Sequence, residues 1–97
     1  MTDSVKEEKK EELRPELKML DLIEEEYKKA FATHGSFRSP HEGYAIIKEE
    51  MDELWDEVKK KPLVARSRPA MKNEAKQVAA MALRFMIDCE ITFDMEG

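Results

Sequence analysis

Apolar residues recur at intervals of three and four along three stretches of this chain, with proline or glycine at the joins between them. That period marks one face of an α-helix, whereas the faces of a strand alternate every second residue. The first stripe is Leu13, Leu17, Leu20, Ile23, Tyr27, Ala30 and Phe31. Pro15 suits its first turn, where a missing N–H costs little, and His34-Gly35 ends it. The second stretch opens with Ser39-Pro40-His41-Glu42, the pattern of a capping box with Ser39 as N-cap and Glu42 at N3. Tyr44, Ile47, Met51, Leu54, Trp55 and Val58 follow at helical spacing, to about Lys60. The third begins near Ser67-Arg68-Pro69 and carries Met71, Ala75, Val78, Ala82, Phe85, Met86 and Cys89. Ile91 to Gly97 extend this helix or trail away from it.

The expected fold is therefore all-α, an antiparallel bundle of about three main helices. Residues Lys6 to Glu12 are all charged and carry no apolar stripe. Residues 1–12 thus read as a charged, fraying lead-in to one domain spanning 13–97. At 97 residues the chain supports one modest core. Tyr27, Phe31, Ile46, Trp55, Met81 and Phe85 are more than such a core can cover, which predicts a homodimer or a higher homo-oligomer.

Charge narrows the function. Lys plus Arg number 17 against 22 Asp plus Glu, a formal charge of −5. That balance opposes a nucleic-acid partner, whose binding rests on neutralised phosphates. No apolar run is long enough to span a membrane, and the N-terminal residues lack the apolar segment of a secretory signal. The single cysteine, Cys89, fits a reducing compartment, so the expected location is cytoplasmic. Cys89 itself falls on the apolar stripe and reads as a buried thiol.

The acids are not spread evenly. Residues 49–57 hold six acids in nine positions. At 100° per residue, the second apolar stripe centres near Ile47, Met51, Leu54 and Val58; Glu50 lies about 70° from that centre and Glu53 about 130° to the same side. On the third helix Glu74 and Gln77 fall at matching angles. Glu50-x-x-Glu53 and Glu74-x-x-Gln77 therefore occupy equivalent shoulders of neighbouring helices. Carboxylates gathered at a helix interface repel unless a cation joins them, and Mg²⁺ takes carboxylates together with substrate phosphates. Phase alone leaves open both a metal site, with Mg²⁺ or Mn²⁺, and a polar seam. Between the acidic half-sites, residues 59–72 carry Lys59, Lys60, Lys61, Arg66, Arg68 and Lys72 and no acid. Arg66, Arg68 and Lys72 are candidate phosphate contacts. Arg84, two turns beyond Gln77, is another, or it pairs with Asp88 four residues on.

The strings HEGYAIIKEEMDELWDEVKKKP and MKNEAKQVAAMALRFMID resemble the MazG-like nucleoside triphosphate pyrophosphohydrolases, an all-α superfamily. Its pattern is a helix with E-E-x-x-E, a variable loop, then a helix with E-x-x-D. Glu49, Glu50 and Glu53 match the first part and Glu74 the glutamate of the second, over about Ser39 to Asp88. The resemblance implies Mg²⁺-dependent hydrolysis of a nucleoside triphosphate to its monophosphate and pyrophosphate by a dimer. It makes Glu50, Glu53 and Glu74 metal ligands and gives Glu49 a part in holding a second metal or orienting the attacking water. Gln77 stands where the family has aspartate. Its amide oxygen can ligate Mg²⁺ but carries no charge and cannot act as a base. A degenerate relative that binds nucleotide or metal without turnover is the alternative.

Overall fold

The computed structural model describes residues 14–60 and 67–93. They form three helices, α1 (Pro15–His34), α2 (Pro40–Val58) and α3 (Ser67–Ile91), with no strand among the described residues. The charged lead-in, Leu13, Lys61 and Arg66 lie outside the described residues.

The ends of the helices follow local chemistry. Pro15 occupies the first turn of α1. Gly35 ends that helix at φ 71°, a conformation that side chains rarely tolerate, and its N–H donates to the Phe31 carbonyl at 2.7 Å. At the start of α2, Ser39 Oγ accepts the Glu42 N–H at 3.1 Å. Glu42 reaches back to the Arg38 N–H at 2.8 Å, one residue earlier than a capping box requires.

The longest helix, α3, is the shared partner: α1 and α2 each pack on it and not on one another. The buried core is small, comprising Ala30, Phe37, Ala80 and Met81, with Ile23, Tyr27, Ile46, Ile47, Phe85 and Phe93 against it. Helices α2 and α3 run antiparallel, so Gly43 meets Phe85 near one end and Glu50 meets Glu74 further along. A Cβ on Gly43 would stand 2.6 Å from the Phe85 ring, so only glycine permits this approach.

Two helical faces depart from the expected stripes. On α2, Met51 and Val58 are exposed, while Ile46, Ile47, Glu50, Leu54 and Glu57 are half-buried around buried Gly43. The inward face is thus rotated by about 60° toward Glu50. On α3 the buried residues are Ala80, Met81, Arg84 and Asp88, whereas Ala75, Met86 and Cys89 are exposed. Cys89 is accordingly not a core thiol. The cause is two charged residues that a count of apolar side chains sets aside. Asp88 accepts the Phe37 N–H at 2.8 Å, and Arg84 donates to the Gly35 carbonyl at 2.8 Å. The Arg84 guanidinium also lies 4.0 Å from the centre of the Phe37 ring. Together they satisfy the backbone of the α1–α2 connection and draw this face of α3 inward.

Candidate metal centre and adjoining cavity

Glu50 and Glu53 stand one turn apart on α2, and Glu74 comes from the antiparallel α3. One carboxylate oxygen from each lies within 4.8 Å of the other two. Glu50 and Glu74 are half-buried and Glu53 is exposed. One oxygen each of Glu50 and Glu74 is buried with no hydrogen-bond partner. Burial raises the Glu50 carboxyl from its ordinary 4.5 to about 7, with further pushes from Glu53, Glu74 and Glu49. Burial also raises Glu74, reinforced by the charge of Glu53, a hydrogen bond to Glu53 and the charge of Glu57, and opposed by Lys60. A buried carboxylate normally finds donors. Here the neighbours are other carboxylates, so ionising the cluster is costly without a cation. Three carboxylate oxygens in this arrangement suit a hard divalent ion, with further positions left for water or phosphate.

Gln77 is half-buried one turn along α3 from Glu74 and borders, with Glu50, a cavity of about 520 Å³. The cavity occupies the space between α1 and α2 over α3. Its lining includes Ala30, Phe37, Ile46 and Met81, and the charged Glu26, Lys29, Arg38, Glu42 and Arg84. Glu26 also meets Lys76 at 3.6 Å, tying α1 to α3 beside this space.

The remaining expected site residues fall in different places. Glu49 is exposed outside the triad and acts on Glu50 through its charge. Arg68 and Lys72 are exposed on the first turns of α3. Lys72 borders a shallow groove with Leu22 of α1. Arg84 lines the cavity, but its Nη atoms are engaged by Gly35 and by the Met81 sulfur at 3.2 Å. It is not paired with Asp88, whose carboxylate holds the Phe37 N–H. His34 borders the cavity and His41 is exposed. Trp55, expected in a core or interface, is 59% exposed within this chain.

Two neighbours of the triad escaped the sequence argument. Glu57 is half-buried and acts electrostatically on Glu74; Lys60 binds Glu57 at 2.8 Å. Spacing holds the signal for Glu57, because positions 50, 53 and 57 descend one side of α2; Lys60 lies two residues past the end of that helix and is held there by Glu57. This chain matches no family model, curated protein or solved structure.

Proposed function

We propose that this chain is a Mg²⁺-dependent nucleoside triphosphate pyrophosphohydrolase, with Glu50, Glu53 and Glu74 holding the ion and the Gln77 amide oxygen as an auxiliary donor. Mn²⁺ is the alternative ion. The observation that carries this reading is the pair of buried, unpartnered oxygens on Glu50 and Glu74, supplied by different helices. A polar seam would be expected to satisfy those atoms internally. The resemblance of the two glutamate-bearing strings to the MazG-like superfamily supplies the substrate class.

When bound, Mg²⁺ offsets phosphate charge and polarises the phosphoryl group under attack. The protein's own part is positioning. Glu50, Glu53 and Glu74 are fixed by the antiparallel contact of two helices rather than by loops. Glu49, adjacent to the triad and not needed as a ligand, orients the attacking water. The water oxygen bonds to the α- or β-phosphorus, the bridging P–O bond breaks, and the water's proton leaves to a carboxylate or solvent. Lys60 offsets charge on the departing phosphates.

Self-association belongs to the same proposal. Leu20, Phe31, Tyr44, Met51, Trp55, Val58, Met86 and Ile91 are exposed, and among the described residues no large side chain is fully buried. A homodimer or larger bundle would cover part of that surface.

Incubating the protein with each common ribo- and deoxynucleoside triphosphate and Mg²⁺, then resolving the products, tests the reaction. Monophosphate and pyrophosphate from at least one of them is expected. Folded protein that yields pyrophosphate from none refutes turnover. Gln77 favours one second reading, a nucleotide binder without turnover, which calorimetry would reveal as Mg²⁺-dependent binding with the ligand recovered intact.

A further inference from the structure

Lys29, Arg38 and Arg84 line the cavity together with Glu26, Glu42 and Glu50, and the pairing among them is uneven. Glu26 is taken by Lys76 at 3.6 Å. Glu42 is taken by Arg38, through its N–H at 2.8 Å and its guanidinium at 3.9 Å. Glu50 belongs to the triad. Lys29 and Arg84 remain without a carboxylate partner among the described residues, and both line the same space.

Arg84 is the more unusual of the two. It is 5% exposed, yet its guanidinium meets only the Gly35 carbonyl, the Met81 sulfur and the Phe37 ring. None of these carries a charge, and Nε is buried with no hydrogen-bond partner. A buried charge ordinarily pairs with one of opposite sign, and a charged donor left bare costs more than a neutral one. Asp88, the buried carboxylate one turn further along α3, is committed to the Phe37 N–H.

Position sets this end of the cavity apart from the glutamates. Glu26 meets Lys76 and Gly35 meets Arg84, so α1 runs parallel to α3 and Lys29 sits between the two ties. Arg84 is ten residues beyond Glu74, or about 15 Å along the helix axis. A phosphate held on an ion at the triad therefore leaves Arg84 unanswered. Between the two ends the wall is apolar, formed by Ala30, Phe37, Ile46 and Met81. The volume of about 520 Å³ is more than an inorganic ion needs and falls within the range of small-molecule sites, about 300–1,000 Å³.

We propose that this end of the cavity is an anion site, independent of the metal, which takes a small organic anion: a carboxylate or phosphate monoester on an apolar body. The anionic oxygens accept from Arg84, whose planar fork suits either group, and from Lys29. The body lies against Phe37, Ile46 and Met81.

Titration of ¹⁵N-labelled protein in the presence of a chelator tests the site without the metal. The probes are phenyl phosphate, benzoate and, as a neutral counterpart, benzyl alcohol. At least one of the two anions should saturate and move the Arg84 Nε–H resonance together with the Ser36 and Phe37 amides, leaving the Glu53 and Glu74 amides in place. Benzyl alcohol should bind at least tenfold more weakly, since a charge-assisted hydrogen bond is worth about that factor or more. Lys29 is exposed, so its variants are expected to keep the fold, and circular dichroism checks it. Lys29→Glu should weaken the anion about tenfold, and Lys29→Arg should retain it. An Arg84 Nε–H signal that stays put with both anions, benzyl alcohol binding as tightly as they do, or an affinity indifferent to Lys29→Glu overturns the proposal. Anion binding seen only when Mg²⁺ replaces the chelator also overturns it, by assigning the anion to the triad. None of these results bears on whether the glutamates hold an ion, which is measured with metal present.

Discussion

Replacing Glu50 by glutamine should make the metal-free protein more stable at pH 8, although it removes a residue from the centre of the site. Burial and three neighbouring carboxylates raise the Glu50 carboxyl from 4.5 to about 7. A group held so far above its unfolded value favours folding fully below pH 4.5; that contribution is lost as pH climbs through about 7. Ionising it in the folded chain then costs on the order of 3 kcal/mol before screening, and water at the half-buried site lowers this to about 1–2 kcal/mol. Urea unfolding followed by circular dichroism at pH 4 and pH 8, with a chelator present, measures the difference. Glu50→Gln should gain about 1–2 kcal/mol over wild type at pH 8 and little at pH 4. Saturating Mg²⁺ should reverse the ranking, since an ion at one hundred times its Kd adds about 2.7 kcal/mol to the form that binds it. Equal stability of the two proteins at pH 8 without metal would refute the repulsion argument. A gain that persists unchanged in Mg²⁺ would refute the role of Glu50 as a ligand.

Mg²⁺ affinity should rise up to tenfold per pH unit below pH 7 and level off above it, because the ion and the Glu50 proton compete; titrations at pH 5.5, 6.5 and 8 check this. Asp88→Ala strands the buried Phe37 N–H and should cost about 1–3 kcal/mol in urea unfolding. Gly43→Ala forces the Phe85 ring aside; overpacking of about 1–3 kcal/mol should outweigh the helical gain of about 1 kcal/mol, giving a lower Tm. Trp55→Lys should shift the protein toward monomer in light scattering at matched concentration, because an exposed tryptophan is a strong anchor for a second copy.

Helix boundaries were legible in the sequence because they are set by local chemistry. Pro15, Gly35, the Ser39–Glu42 pair and the Ser67–Pro69 start each act within a few residues of themselves. The rotation of each helix was less legible, since it depends on long-range bonds. Arg84 and Asp88 are buried because they meet backbone groups about fifty residues away, and no apolar count assigns them inward. The apolar stripe puts Glu50 on a shoulder of α2, whereas the structure turns it into the α2–α3 interface, where its carboxylate meets those of Glu53 and Glu74. The convergence of Glu50, Glu53 and Glu74 was readable because charge cannot be hidden from the helical period. The cavity was not, because it is a gap between α1 and α2 that depends on both helices packing against α3 and not on each other.

Anomalous diffraction from crystals soaked in Mn²⁺ tests the metal centre most directly. The account predicts a peak bounded by carboxylate oxygens of Glu50, Glu53 and Glu74, lost in Glu74→Gln. Carboxylates of Glu50 and Glu74 turned apart toward solvent, with no peak between α2 and α3 at saturating Mn²⁺, would contradict it.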